Sequence, residues 1–225
     1  AGVDTADPSG SAAAGKIPAD YAAALDTGAL KGRRLGVVRQ AMGYHPDVDA
    51  SMERAMAALK AAGAEVVDVT IPGYNDWNGA ELQVLLYEFK DGLNAYLQAS
   101  GAPHASLEAL IAWNSAHEDT AMPFFGQELF EQAQEKGPLT TPAYITARDG
   151  ARRMAGAGLR SALEKQRLDA LIAPSVGPAW PTDRVLGGHF TGAGYSLAAV
   201  AGRPSWTVPV GDVRELPLGV RFMGR

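Results

Sequence analysis

The feature that most constrains the fold is a strand, an amphipathic helix and a second strand that follow one another between residues 34 and 71. Residues 34–38 (RLGVV) and 65–71 (EVVDVTI) are β-branched runs of strand length. His45-Pro46 places a proline in the first turn of the intervening helix, and Gly63 supplies its C-terminal cap. The apolar residues of this helix recur at helical spacing: Val48, Met52, Met56 and Leu59. Strands joined by such a crossover lie parallel with a right-handed connection, so this region predicts a βαβ unit.

The middle of the chain has the spacing of three helices. Ser106 is placed to cap a short helix, and Thr141-Pro142 is typical of the start of another that runs towards Gln166. Before them, one long helix with a broad apolar face is predicted from Leu82, Leu85, Leu86, Phe89, Leu93, Tyr96 and Leu97.

The last part of the chain returns to strands, predicted at 169–173, at 205–210 with a stop at Gly211, and at 218–223. Residues 174–194 form a long stretch rich in Gly and Pro, and loops of that length inside compact domains are often functional. The complete pattern predicts an α/β fold with a mixed, largely parallel sheet flanked by helices.

The sequence divides into four segments of a single domain. Residues 1–30 read as a connector, 31–72 as the βαβ unit, 73–167 as a helical region, and 168–225 as strands with cleft loops. A chain of 225 residues is long enough to bury a sizeable core.

Composition and charge exclude several classes of function. The net charge of −5 argues against a nucleic-acid partner, because a phosphate-tracking surface needs a concentration of Lys and Arg. The absence of Cys removes disulfides, thiolate nucleophiles and thiolate metal sites together. No apolar run approaches the roughly 20 residues that span a bilayer, and 1–4 (AGVD) does not resemble a signal peptide. We therefore expect a soluble protein without a membrane partner, in a compartment (cytoplasmic or periplasmic) that the sequence leaves open.

Two patterns suggest cofactors, but neither has the necessary residues or spacing. Residues 10–16 (GSAAAGK) match most of a phosphate-binding loop, yet Ile17 stands where Ser or Thr would hold magnesium. His45 with Asp47 and Asp49, and His117 with Glu118 and Asp119, could also be read as metal ligands. Neither cluster offers two histidines about one turn apart on one helix face, as a metal site there needs. We expect no metal and no cofactor.

No complete catalytic constellation can be assigned within this chain. It has no Cys, no Gly-x-Ser-x-Gly elbow and no Ser-x-x-Lys pair. Ser175 and Ser196 lie near the long loop, but the sequence places no base beside either.

Several motifs resemble those of the amidase-signature family, in the family's order along the chain. Residues 168–175 (LDALIAPS) are similar to its "D-l-l-a-P-T" segment, and 125–128 (FGQE) to its "FGxE" segment. The run from 195 to 220, which contains VPVG and LPLGV, is similar to the ending "aGxP…vPxG…lPxGl". Residues 1–8 (AGVDTADP) resemble the "aGxDxxDp" run that follows the signature region. Residues 85–90 (LLYEFK) and the segment around Trp113 and Asn114 look most like the peptide amidase branch.

The resemblance implies both a chemistry and a missing part. Members of the peptide amidase branch hydrolyse the C-terminal amide of peptides. Their serine nucleophile is activated by a second serine, held by a cis peptide bond, and by a lysine, while backbone N–H groups stabilise the oxyanion. Ser9, Ser11 and Lys16 do not reproduce that signature. We therefore expect this chain to be the C-terminal half of an amidohydrolase, to contain no catalytic residue, to be inactive alone and to need the N-terminal half of the same protein.

What this half contributes is expected to be the wall of a cleft for a small-molecule or peptide amide. Ligands of open α/β sheets bind beyond the carboxyl ends of strands, and the branch-like segments add further positions. The predicted substrate-binding residues are Tyr87, Glu88, Phe125, Ser175, Trp180 and Tyr195. Core packing of the aromatic residues, and a solvated or structurally paired Glu88, are the alternatives. For the whole protein the alternatives are a non-catalytic binding or scaffold module and a transamidating subunit that acts on charged tRNA.

Overall fold

The computed structural model describes residues 4, 10–11, 14–18 and 20–225. The strands are β1 Arg34–Val38, β2 Glu65–Val69, β3 Ala170–Pro174, β4 Ser205–Val213 and β5 Leu216–Met223. The helices are α1 Pro46–Ala61, α2 Asn78–Ala99, α3 Leu107–Ala116, α4 Glu118–Ala121, α5 Glu128–Gln134, α6 Pro142–Lys165 and α7 Ser196–Ala201, with short 3-10 turns at Ala22–Ala24 and Arg39–Ala41. Apart from Asp4, the motif at 1–8 falls outside the described residues, as do parts of the connector.

The five strands form one sheet in the order β2-β1-β3-β5-β4. β1 pairs in parallel with β2 and with β3, which confirms the predicted βαβ unit. β5 is antiparallel to both of its neighbours, so the sheet is mixed. β4 and β5 form a hairpin whose turn residues Arg214 and Glu215 both have positive φ. A two-residue turn of that kind joins adjacent antiparallel strands.

Helices cover both faces of the sheet and create two apolar layers. On one face Met52 and Met56 of α1 pack with Val37, Ile172 and Val220. On the other face α6 and α7 pack against the strands through fully buried residues, among them Leu159, Leu163, Leu171, Leu197 and Met223. The predicted α/β architecture with flanking helices is confirmed.

Some local details differ from the prediction, and three of them have a structural reason. β2 ends at Val69 rather than at Ile71, because the Ile71 N–H and C=O both bond to the Gln40 side chain, at 2.7 and 3.0 Å. β4 continues through Gly211, where the register with β5 shifts by a bulge. The hydroxyl of Thr141 bonds to the Pro138 carbonyl and does not cap α6.

The long helix α2 is predicted to bury a broad apolar face, and the structure divides that face. Leu86 and Leu97 are buried, whereas a second row of apolar side chains is substantially exposed: Leu82, Leu85, Phe89 and Tyr96. The first two of these line a cavity. Leu82 and Leu85 therefore belong to a cavity wall rather than to the core.

Among the helices that the structure describes, none combines the length and the apolar character needed to cross a membrane.

Candidate functional site

A cavity of about 560 Å³ lies beyond the carboxyl ends of the three parallel strands, and we call it the strand-end cavity. Gln40, Ala41 and Tyr44 follow β1, while Tyr74 and Asn75 follow β2. The remaining walls come from the loop after β3, the start of α7 and the first two turns of α2: Phe190, Gly192, Ala193, Tyr195, Ser196, Asn78, Glu81, Leu82 and Leu85. Parallel strands bring these connections to one edge of the sheet, which is the usual location of ligand sites in such folds.

A hydrogen-bonded chain fixes the polar wall of the strand-end cavity. The indole N–H of Trp77 donates to the Ser196 hydroxyl at 2.8 Å, and that hydroxyl donates to a Glu81 carboxylate oxygen at 2.9 Å. Trp77 is only 1% exposed, so this series of hydrogen bonds is anchored in the core. Glu81 also lies in the first turn of α2, where the helix dipole stabilises a carboxylate.

Tyr44 is enclosed by the loop after β3. A Cβ atom on Gly192 would lie 2.5 Å from the Tyr44 ring, and one on Gly177 would lie 3.4 Å from it. The phenol oxygen of Tyr44 is buried without a hydrogen-bond partner, as is the hydroxyl of Thr191. Burial, assisted by the Asp49 carboxylate, raises the pKa of Tyr44 to about 12. Burial also raises the pKa of Tyr74, so both phenols are neutral at physiological pH.

A second cavity, of about 500 Å³, lies among the short helices, and we call it the helical cavity. It is lined by residues 121–130 together with Asn114. The Gln127 side chain holds it together by accepting from the Asn114 amide at 3.0 Å and donating to the Ile111 carbonyl at 3.2 Å. Arg184 lies 4.8 Å above the ring of Phe124, so the loop after β3 reaches this cavity too.

Three of the six predicted substrate-binding residues lie at or beside a cavity. Tyr195 lines the strand-end cavity, and Phe125 lines the helical cavity. Trp180 lines neither, but it contacts Phe190 edge-on at a centroid distance of 6.1 Å, and Phe190 lines the strand-end cavity. These three aromatic side chains are between 39 and 49% exposed, so none of them packs fully in the core.

The structure places the other three predicted residues outside both cavities. Ser175 is buried, and its hydroxyl shares a hydrogen bond of 3.1 Å with that of Thr207. Tyr87 is buried beside Tyr144, and Glu88 accepts a hydrogen bond of 2.7 Å from the Tyr144 hydroxyl. These side chains connect β3 with β4 and α2 with α6.

Sequence reasoning missed most of the residues that line the strand-end cavity. Tyr44 and Tyr74 follow β1 and β2, and the strand-end rule that selected residues after β3 applies to them equally. Glu81 carries a first-turn acidic signal that occurs in many helices and does not indicate a site by itself. Its neighbour Ser196 is 115 positions away in the sequence, which no local pattern reveals.

In the part of the chain that the structure describes, no group of three His, Asp or Glu side chains is arranged to hold a metal ion. His45 instead accepts a hydrogen bond from the Asp47 N–H, and Asp49 accepts one from the Gly43 N–H. These side chains thus stabilise the turn before α1.

The fold, its strand-end cavity and the order of motifs define the class of protein: the chain belongs to the Amidase family, whose sequence profile matches residues 2–225. It is similar in particular to the native peptide amidase of Stenotrophomonas maltophilia, with 44% identity and a TM-score of 0.85 over 100% of this chain and 45% of that one. The peptide amidase PAM in complex with the competitive inhibitor chymostatin gives 44% identity and a TM-score of 0.89 over 100% of this chain and 46% of that one. The predicted resemblance to the bacterial peptide amidase branch is confirmed.

More distant relatives show the same partial coverage. An amidase family protein from Bacillus anthracis is 26% identical with a TM-score of 0.75, over 100% of this chain and 41% of that one. A glutamyl-tRNA(Gln) amidotransferase subunit from Cereibacter sphaeroides is 25% identical over 235 residues, which cover 97% of this chain and 47% of that protein. The chain thus spans about half the length of the relatives that it matches.

Proposed function

We propose that this chain is the C-terminal part of an amidohydrolase that cleaves the carboxamide of a peptide, and that the strand-end cavity is its contribution to the substrate cleft. The observation that carries the proposal is the 44% identity to peptide amidase over the whole of this chain. The position of the cavity supports it, because the loops beyond parallel strands are where α/β enzymes bind ligands. No membrane or nucleic-acid partner enters the proposal.

The nucleophile in this proposal is the family's serine, assisted by a second serine and a lysine, on residues that precede this sequence in the intact protein. The serines near the cleft in this chain lack a suitable base. Ser196 donates to Glu81, but a carboxylate is a weak base for a hydroxyl, and Ser175 bonds only to another hydroxyl and to backbone. The chain alone is therefore expected to bind amides without hydrolysing them.

The N-terminal half of the same protein is the partner that we propose for the outer edge of the sheet. β4 is an edge strand, and its residues Ser205 to Pro209 are all exposed. Trp206 is 70% exposed on this strand, which is unusual for a large aromatic side chain. An adjoining strand or helix would cover Trp206 and satisfy the free backbone groups of β4.

Release of ammonia from a peptide amide tests the proposal. The purified chain is compared with the longer polypeptide encoded when the residues that precede it in the gene are included. We expect turnover only from the longer polypeptide, because only that form carries the nucleophile. Absence of turnover from both forms, with the longer form correctly folded, would contradict the hydrolase assignment and favour the binding or scaffold module.

Transamidation is the second candidate, because curated relatives with 24–28% identity are glutamyl-tRNA(Gln) amidotransferase subunits. The same preparations distinguish it from hydrolysis. A hydrolase releases ammonia from a peptide amide without a partner protein, whereas a transamidating enzyme transfers ammonia to charged tRNA and does so only when its partner chains are present. We expect release without partners.

A further inference from the structure

The strand-end cavity has a composition that suits a positively charged ligand group. Four of its lining residues are aromatic, namely Tyr44, Tyr74, Phe190 and Tyr195. Among its lining residues, all of which the structure describes, Glu81 alone is charged. Aromatic faces attract cations through the ring quadrupole, and a carboxylate beside them adds a direct charge interaction.

The polar contacts leave the charge of Glu81 available to a ligand. One carboxylate oxygen accepts the Ser196 hydroxyl, and the structure gives the other oxygen no protein partner. Arg148 and Arg152 lie in an adjoining groove that Glu81 also lines, but the described ion pairs include none between Glu81 and an arginine, and Arg148 pairs with Asp149. Glu81 therefore lines the cavity with one oxygen held by Ser196, and it takes part in none of the described ion pairs.

Three of the four aromatic residues pack against neighbouring groups. Tyr74 packs edge-on against Trp77 at 5.6 Å, and Phe190 packs edge-on against Trp180 at 6.1 Å. Tyr44 is seated against Gly192, where any side chain would overlap its ring. Ordering these rings in advance reduces the entropy lost when a ligand binds.

We propose that the strand-end cavity is a subsite for a cationic side chain of the substrate, with Glu81 as the specificity-determining residue and the four aromatic residues as its walls. The proposal rests on the amidase function and refines it: among peptide amides, those that carry an ammonium group close to the amide are preferred. A carboxylate in the same position is disfavoured, because it would face Glu81.

Binding of two probes that differ in charge tests this subsite. N-acetyl-lysinamide and N-acetyl-norleucinamide have similar side chains, one with a terminal ammonium and one without. We expect the chain to bind the lysine compound about tenfold more tightly in an NMR titration, as an aromatic cage with a carboxylate provides. This preference is expected to weaken as salt is added, because the charge interaction is screened.

Two variants assign the preference to the cavity. Glu81→Gln keeps an acceptor for Ser196 but removes the charge, and it is expected to bring the affinity ratio close to one. Phe190→Leu, at a side chain that is 56% exposed, is expected to weaken lysinamide binding about threefold while folding normally. Glu108→Gln is the matched control, since Glu108 is an exposed carboxylate in the first turn of α3, away from the cavity. It is expected to leave the ratio unchanged.

Equal affinity for the two compounds, no detectable binding of the lysine compound, or an unchanged ratio in Glu81→Gln overturns the subsite. Ammonia release from N-acetyl-norleucinamide by the longer polypeptide tests the amidase function separately. Release without a preference for lysinamide would leave the function standing and remove the subsite. Selective binding of the lysine compound without any ammonia release would support the subsite and contradict the amidase function.

Discussion

Trp77 is the residue on which the polar wall of the strand-end cavity depends. Its indole N–H donates to Ser196, and its ring is buried in the layer beneath α6 and α7. Because Ser196 in turn holds Glu81, one buried aromatic residue positions the charge that we assign to ligand selection. The link between core and site at this point is a single hydrogen bond.

Trp77→Phe is expected to lower the free energy of unfolding by about 1–3 kcal/mol, because it removes this hydrogen bond and leaves part of a buried site unfilled. Urea denaturation followed by circular dichroism measures the change. Trp206→Phe is the control, since Trp206 is largely exposed and its change should stay within about 0.5 kcal/mol. Equal losses from the two variants would contradict the role given to Trp77.

Gly192 allows the loop after β3 to approach the Tyr44 ring closely. Its φ is +146°, and an added Cβ would also overlap the ring. Gly192→Ala is expected to destabilise the protein by about 2–4 kcal/mol, from backbone strain and steric overlap together. Gly211→Ala separates the two effects, because Gly211 has a φ of +115° but nothing within 4 Å of an added Cβ. Thermal unfolding of the pair should show a clearly larger loss for Gly192→Ala, and an equal loss would mean that the ring contact is unimportant.

At the scale of elements, the loop after β3 connects the two cavities, and a turn around Asp183 shapes it. The Asp183 carboxylate accepts the N–H groups of Val185 and Leu186 and contacts the His189 ring at 3.0 Å. The Leu186 N–H first, then His189 and the Val185 N–H, lower the pKa of Asp183 to about 2. In the unfolded chain the pKa of an aspartate is about 3.9.

A lowered folded-state pKa means that this carboxylate supports the turn fully above about pH 4 and loses that effect as the pH falls through about 2. We expect the indole NMR signal of Trp180, in the same loop, to keep its position to about pH 3 and to move only below it. Asp183→Ala should shift that signal already at neutral pH, whereas Asp119→Ala, an exposed site on α4, should not. A transition of the wild-type signal near pH 4 would contradict the proposed turn.

Much of the fold was predictable from sequence because its signals are local. The βαβ unit follows from two β-branched runs, a proline-started helix and Gly63, and the structure confirms all of them. The hairpin of β4 and β5 was not predicted as such, since Arg214 and Glu215 lack the Asn-Gly or Asp-Gly signature of a tight turn. The continuation of β4 past Gly211 depends on its pairing with β5, which no local pattern shows.

The candidate site was less predictable, because its walls come from segments far apart in the chain. The strand-end rule led to Tyr195 and to the neighbourhood of Phe190, but not to Tyr44 and Tyr74, which follow β1 and β2. The contacts that orient Glu81 join residues 115 and 119 positions apart. Only the folded arrangement shows that these groups meet.

At the scale of the whole molecule, helices cover the two faces of the described sheet, while the edge strand β4 is exposed. α1, α6 and α7 bury the two faces, while β4 presents Trp206 and Val208 to solvent. Natural proteins usually protect such an edge with charges, prolines, bulges or a covering element, because free backbone groups and apolar side chains promote pairing between chains. In β4, Pro209 and the bulge at Gly211 come after the exposed stretch from Ser205 to Val208.

We therefore expect the purified chain to self-associate through β4, and Val208→Lys to reduce this association by placing a charge on the edge. Sedimentation velocity over a concentration series measures it. Val185→Lys adds the same charge at a more exposed position, in the loop after β3, and should leave association unchanged. If both variants reduced association equally, net charge rather than the β4 edge would be responsible.

The central claim is that this chain meets its substrate at the strand-end cavity. A crystal structure of the longer, catalytically competent polypeptide with a bound peptide inhibitor tests it most directly. We predict that the ligand lies within contact distance of Glu81 and Tyr195, with its reacting carbonyl directed at a serine outside residues 1–225. A ligand seated in the helical cavity beside Phe125, or reaching none of the loops that follow β1, β2 and β3, would contradict that claim.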